Sequence, residues 1–325
     1  MSPKLPLPLR WSGALPAGDL APLDCLYGGG EGMPALQGAQ IPKRAQWPSV
    51  RMGRSGGAEA GPTGAPWINA NGWLIRIAQH LDAAKPVVLD TAPPTGARAG
   101  AYVLAAAEAM VYGASWVVTH TAETWPGVRA ALRFFEAHAE WRAWEPVAEL
   151  AVISSFTGED EWIGEETLNL LARRQVGCRV GEPGEMKAAV WASKRPVPRE
   201  KYAAWERAGG MLIVPGEGWD DVYGAVAGVH LALTRKRDVM RLWNAGSIIG
   251  HYVAERGGKR GVAHLINYAG NRSSDDTSIW LARPWKRAVL TTFEKTVALK
   301  TSATNGGIEI PLPPLGVYAA IELEA

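Results

Sequence analysis

The pattern of apolar positions changes character along the chain, and its first regular element follows a segment rich in glycine and proline. In WLIRIAQHL apolar residues recur at positions 74, 75, 77, 78 and 81, which predicts a helix with one buried face. KPVVLDTAPP then predicts a short strand over 87–89 that ends at Asp90, before a proline loop. AYVLAAAEAMVYGA predicts a helix that stops at Gly113, and SWVVTHTAETW predicts a second buried strand.

Strand, helix and strand at this spacing predict a βαβ unit. The two strands of such a unit are parallel, so the loops at their carboxyl ends lie at one edge of the sheet, where α/β folds place their functional residues. Those ends carry Asp90, His120 and Glu123. We assign this unit to an N-terminal domain over 1–145.

A second pattern occupies 146–236. Strands are predicted in VAELAVISSF, GCRVGE, MKAAVWAS and MLIVP, with helices in the stretches between them. The alternation predicts an open, mostly parallel α/β domain of the flavodoxin-like kind, with helices on both faces of its sheet.

Short alternating runs separated by turn residues fill 237–325. They make about seven predicted strands between IIGHYVAE and GVYAAIELEA, too many and too short for anything but an antiparallel β-sandwich.

Composition narrows the class of protein. With 47% hydrophobic and 20% charged residues and a formal net charge of +2, the chain is typical of a folded protein and has no electrostatic footprint for nucleic acid. Cys25 and Cys178 lie far apart and outside any CxxC pair, so we interpret them as reduced thiols. No run reaches signal-peptide or membrane-span length. We expect a cytoplasmic protein with no membrane partner, and we predict no cofactor or metal.

The stretch PWINANGW places Trp67 and Trp73 around two amides, Asn69 and Asn71, in a chain that has 15 tryptophans and only 4 phenylalanines. One interpretation is structural, since Asn71 before Gly72 suits a helix N-cap. The other is a carbohydrate site, in which an indole stacks on a sugar ring and an amide hydrogen-bonds its hydroxyl groups.

The order of these parts resembles the bacterial β-galactosidase type of glycoside hydrolase. There a (β/α)8 barrel precedes a glutamine-amidotransferase-like domain and a small β-sandwich. AAEAMVYGASWVV resembles the late barrel helix and strand, KPVVLDTAPP resembles the strand that carries the nucleophilic carboxylate, and HLINYAG with IEIPLPPLGVYAAIEL resembles the sandwich. A full barrel takes about 250 residues, so the resemblance implies a truncated barrel.

The resemblance also implies site residues, although this sequence departs from the family's pattern at two of them. The family's acid/base residue lies in an Asn-Glu pair, which this sequence lacks, and Asp90 stands where the nucleophilic Glu is expected. The family's loop near the active site corresponds to GEDEWIGEE, which makes Trp162 and Glu161 further candidates. The middle domain offers only Cys178, which begins a strand, and His230, so we predict no amidotransferase activity.

A glycosidase needs two carboxyl groups about 5 to 9.5 Å apart. Asp90 and Glu123, with His120 between them, are the predicted pair; Glu108 either faces the barrel interior or, as we favour, lies on the surface. Two hypotheses stay open. The first is a glycoside-hydrolase-like protein acting on a small glycoside through two carboxylates, and the second is a non-catalytic carbohydrate-binding or scaffold protein. A truncated barrel exposes apolar surface, which predicts a homo-oligomer.

Overall fold

The computed structural model describes residues 38–55, 57–61, 65–215, 219–233, 238–270 and 276–325, and it describes the backbone alone of 7–11, 25–27 and 118–120. Over these residues the chain is a mixed α/β protein with several sheets and no closed barrel. The six α-helices of this part are α1 (Gly72–Leu81), α2 (Ala99–Val111), α3 (Trp125–Ala137), α4 (Glu161–Arg173), α5 (Arg199–Arg207) and α6 (Val222–Leu233).

The predicted βαβ unit is confirmed. The strands of this region are β1 (Leu7–Trp11), β2 (Cys25–Tyr27), β3 (Ser49–Val50), β4 (Ile68–Asn69), β5 (Val88–Leu89), β6 (Ser115–Trp116) and β7 (Val118–His120). β5 pairs in parallel with β6, and α2 connects them. β1 lies parallel between β2 and β7, while β3 and β4 form a separate antiparallel pair. The side chains of Cys25 and His120 lie outside the described residues.

Helices α1 and α2 follow the sequence pattern with one exception. The apolar stripe of α1 is buried as predicted, except for Leu81, which is 50% exposed because the helix ends there. α2 is buried over almost its whole surface, as expected of a helix that is apolar all round. It ends before Gly113, whose φ of +75° is the left-handed conformation that stops a helix.

The second region forms the predicted parallel sheet. Its strands are β9 (Leu150–Ile153), β10 (Cys178–Val180), β11 (Ala188–Trp191) and β12 (Met211–Ile213), in the order β10-β9-β11-β12. Leu150 and Val152 share a core with α4 and α6, whereas Ala151 packs with Tyr202 of α5 on the opposite face. Helices therefore cover both faces of this sheet.

Two antiparallel sheets follow. Their strands are β8 (Glu145–Pro146), β13 (Met240–Trp243), β14 (Ile248–Ala254), β15 (Arg260–Asn267), β16 (Ser278–Ala282), β17 (Arg287–Thr291), β18 (Thr296–Ala298), β19 (Ser302–Thr304), β20 (Gly307–Pro311) and β21 (Tyr318–Glu324). One sheet is six-stranded with the order β18-β17-β21-β15-β14-β8, and the other is four-stranded with the order β13-β16-β20-β19. The sheets share one core, in which Ile279 and Ile310 meet Leu265 and Ile321. β13 is a strand that the sequence pattern did not predict.

None of the helices in the described part of the chain combines the length and the apolar character needed to cross a bilayer.

Candidate functional site

A buried carboxylate lies beneath the PWINANGW stretch. Glu108, on α2, is fully buried and accepts hydrogen bonds from the Asn71 backbone N–H (2.7 Å), the Asn71 side-chain amide (2.6 Å) and the Tyr268 hydroxyl (2.6 Å). Burial raises the pKa of Glu108, and these donors offset only part of the effect. The surface position that we favoured for Glu108 is therefore wrong: a helix that is apolar all round is buried, and it takes its one acidic residue inside with it.

Asn71 is held on a second side as well. Its Nδ2 donates to the Gln46 carbonyl (2.8 Å), and its Oδ1 accepts from the Gln46 backbone N–H (2.9 Å). Asn71 occupies the predicted N-cap position of α1, but its side chain makes no capping hydrogen bond. The N-cap interpretation is therefore right about where Asn71 lies and wrong about what its side chain does. At 1% exposure it offers no amide surface to a ligand. Asn71 thus ties Gln46 to α2.

Above this layer lies a cleft of about 400 Å³. Four of the predicted binding residues line it together: Trp67, Asn69, Trp73 and Trp162. We refer to it as the tryptophan cleft. Its other polar walls come from the segment that contains Arg44, from Arg51, and from the face of α4 that carries Glu165, Glu166 and Asn169.

The tryptophans of the cleft differ in the ring surface that they offer. The guanidinium groups of Arg51 and Arg173 lie over the Trp67 ring, 4.8 and 4.1 Å from its centre. These cation–π contacts already occupy ring surface on which a sugar would stack. Trp73 is half-buried against the core of the parallel sheet, whereas Trp162 is 50% exposed. Trp162 is therefore the indole with the largest open face in the cleft.

The polar wall of the cleft is organised by contacts between distant segments. Arg44 makes an ion pair with Glu165, and Arg51 donates to the Asn69 side-chain oxygen (3.4 Å). Asn169 donates to Oε2 of Glu166 at 3.2 Å. Burial raises the pKa of Glu165, against the opposing effect of Arg44. The wall offers donors and acceptors side by side, as a ring of hydroxyl groups requires.

Sequence reasoning missed Glu165, Glu166 and Asn169 as cleft residues, although a signal was present. Together with Trp162 they occupy positions i, i+3, i+4 and i+7, and residues at that spacing share one face of a helix. Acidic residues near the start of a helix are ordinarily explained by capping and by the helix dipole. That explanation suits Glu161, which is exposed in the first turn of α4, but Glu165 is buried in the cleft wall.

The predicted catalytic carboxylates lie elsewhere. Asp90 follows β5 and is exposed, and Glu123 is exposed in the turn before α3. Neither lines the tryptophan cleft. His120 ends β7, and its side chain is outside the described residues. The assignment of Asp90 and Glu123 as a catalytic pair stays a prediction.

Comparison with solved structures identifies the fold. An α-L-fucosidase isoenzyme from Paenibacillus thiaminolyticus matches with a TM-score of 0.61 and 10% sequence identity, over 78% of this chain and 62% of that one. A rhamnosidase from Novosphingobium sp. PP1Y matches with a TM-score of 0.51 and 12% identity, over 87% of this chain and 34% of that one. The chain thus spans less than two thirds of either enzyme. At these identities the matches show the fold alone: the chain has a glycoside-hydrolase-like fold.

No family model matches the sequence, and no curated protein does.

Proposed function

We propose that this protein binds a small saccharide in the tryptophan cleft. The observation that carries the proposal is the convergence of Trp67, Asn69, Trp73 and Trp162 on one cleft of about 400 Å³, within the size range of small-ligand sites. These residues come from segments about 90 positions apart in the sequence.

The chemistry of the cleft fits a sugar. The half-exposed face of Trp162 suits the apolar C–H face of a pyranose ring. Arg51 supplies donors, Glu166 supplies an acceptor, and Asn69 and Asn169 supply both, for the hydroxyl groups at the ring edge. The layer formed by Glu108, Asn71 and Gln46 holds the cleft floor in place, so the site is organised before a ligand arrives.

We also propose an assignment of three domains. We interpret the parallel strands β1, β2 and β5 to β7 as a truncated (β/α) barrel, residues 146–236 as the glutamine-amidotransferase-like domain, and 237–325 as a β-sandwich. The parallel order β10-β9-β11-β12 and the two antiparallel sheets support this interpretation. An open parallel sheet has uncovered edges, which favours a homo-oligomer; a monodisperse monomer in light scattering would argue against that part.

Hydrolysis of a small glycoside by Asp90 and Glu123 is the second candidate function. It draws support from the position of Asp90 at the carboxyl end of β5 and from the glycoside-hydrolase-like fold. We rank it below saccharide binding because a hydrolytic carboxyl pair has to lie beside the sugar, and neither carboxylate lines the tryptophan cleft.

The two candidates are separated by a binding screen combined with an assay of hydrolysis. Fucosides, rhamnosides and galactosides are the first compounds to test, both as free sugars and as nitrophenyl glycosides. Binding without release of nitrophenol supports the binding function. Hydrolysis that is lost in Asp90→Asn or Glu123→Gln, with circular dichroism unchanged, would establish the second candidate in its place.

A further inference from the structure

A second and larger cavity shares no lining residue with the tryptophan cleft. It has a volume of about 490 Å³ and is bounded by the C-terminal end of α4, the end of α6 and strand β13. Ligand sites are common at such junctions between structural layers, and the volume is in the range of small-molecule sites. The side chains that give it chemical character are Arg173, Arg174, His230, Asp238, Arg241 and Trp243.

The charge of this cavity is unbalanced. Three arginines line it, and Asp238 is the one carboxylate among its described lining residues. Asp238 already pairs with Arg241, whose Nε lies 2.5 Å from its Oδ2. Arg174 also lines the cavity and enters no ion pair within the described part of the chain.

Two further groups of the cavity are basic or titratable. Arg173 is only 8% exposed; its Nη2 donates to the Pro66 carbonyl (3.1 Å), but its Nε and Nη1 are buried without a hydrogen-bond partner among the described residues. Unpaired donors of a buried cation are costly. Burial lowers the pKa of Arg173 against the opposing effect of Glu166, and the Arg173 guanidinium also lies 4.1 Å from the centre of the Trp67 ring. Burial lowers the pKa of His230, and among the residues that line the cavity with it Arg174 and Arg241 act in the same direction while Asp238 opposes them.

We propose that this cavity binds a small molecule carrying a phosphate or sulfate group, with the oxyanion between Arg174 and Arg241. Guanidinium groups suit such anions because their N–H donors match the spacing of the oxygens. The cavity is larger than a single anion, and Trp243, 41% exposed at its rim, offers a flat face to the rest of the molecule. The proposal does not depend on saccharide binding in the tryptophan cleft.

The test is isothermal titration of the full chain with inorganic phosphate, inorganic sulfate and glucose 6-phosphate, all at one ionic strength. We expect glucose 6-phosphate to bind more tightly than either inorganic anion, and Trp243→Ala to remove that advantage. Arg174→Gln is expected to weaken binding of all three by about tenfold or more, while Arg174→Lys retains part of the affinity because it keeps the charge.

Arg199→Gln is the matched control, since Arg199 is an exposed arginine on α5 that does not line the cavity. It should bind like the wild type. Binding that is absent in the wild type, or equal in Arg174→Gln and the wild type, would overturn the site. Inorganic phosphate binding as tightly as glucose 6-phosphate would overturn the assignment of a larger ligand.

Discussion

Asn71 donates both its backbone N–H and its side-chain amide to the carboxylate of Glu108, at 2.7 and 2.6 Å. This pair fixes the stretch that contains Trp67 and Trp73 to the C-terminal part of α2. The tryptophan cleft therefore rests on a buried, hydrogen-bonded carboxyl group, and its geometry depends on that group keeping all its partners.

Replacing Glu108 is expected to destabilise the whole protein. Glu108→Ala leaves the donors of Asn71 and Tyr268 buried without an acceptor and also leaves a cavity, which costs about 3 kcal/mol or more. The free energy of unfolding, measured with urea, should fall far more than in Glu136→Ala, which alters an exposed residue of α3. Equal stability of the two variants would contradict the structural role of this carboxyl group.

Gly72 is expected to tolerate no side chain. A Cβ at this position would lie 2.4 Å from the ring of buried Tyr112, which is itself packed against His251 and Arg76. Gly72→Ala should therefore lower the unfolding free energy by about 1 to 3 kcal/mol. The same substitution at Gly228, within α6, meets no atom within 4 Å and should be neutral or stabilising. Thermal unfolding of both variants gives the comparison, and an unchanged Tm for Gly72→Ala would contradict the close packing of α1 on Tyr112.

The buried histidines make stability depend on pH. Burial lowers the pKa of His264 to about 3 and that of His251 well below its usual range, with smaller contributions from His138 on the first and from Arg76 and His264 on the second. Below the unfolded-state pKa near 6.5, the unfolded chain binds protons that the folded protein does not. The contribution of the two buried, neutral histidines to the free energy of unfolding is therefore complete above pH 6.5 and is lost as the pH falls toward 3.

Glu108 acts in the opposite direction, because a raised carboxyl pKa favours the folded state at low pH. The histidine effect is therefore isolated by comparing variants. Between pH 5 and pH 6 the unfolding free energy of His264→Gln should change less steeply than that of the wild type, by about 1.4 kcal/mol per pH unit. Thr296→Ala, at an exposed position of β18, removes no titratable group and should keep the wild-type slope. Parallel curves for His264→Gln and the wild type would contradict a buried, neutral His264.

Local patterns predicted much of the fold. The β5-α2-β6 unit and the four parallel strands β9 to β12 follow from apolar runs and helix stops that lie within a few residues of each other. β13 was not predicted because its four residues follow a polar, basic stretch, and four residues are too few to show the alternation of apolar and polar positions that indicates a strand. Leu81 was assigned to the buried stripe of α1 because a periodic pattern does not show where the buried part of the helix ends.

The site was predictable only in part. The residues of PWINANGW could be named from composition, but the contact between Arg44 and Glu165 spans 121 positions and has no sequence signature. The burial of Glu108 could have been predicted from the sequence, since every other residue of its helix is apolar. The sequence could not show which indole keeps an exposed face, because the cation–π contacts of Trp67 involve Arg51 and Arg173, which belong to different segments.

The most direct test of the saccharide site is isothermal titration of the sugar that binds best in the screen against the wild type, Trp162→Ala and Trp144→Ala. Both substitutions remove a partly exposed indole, but Trp162 lines the tryptophan cleft, whereas Trp144 lines neither that cleft nor the larger, arginine-lined cavity. We predict that Trp162→Ala weakens binding by about tenfold or more, the loss expected when one stacking contact is removed, and that Trp144→Ala binds like the wild type. Equal affinity of Trp162→Ala and the wild type, with both proteins folded, would contradict saccharide binding in this cleft.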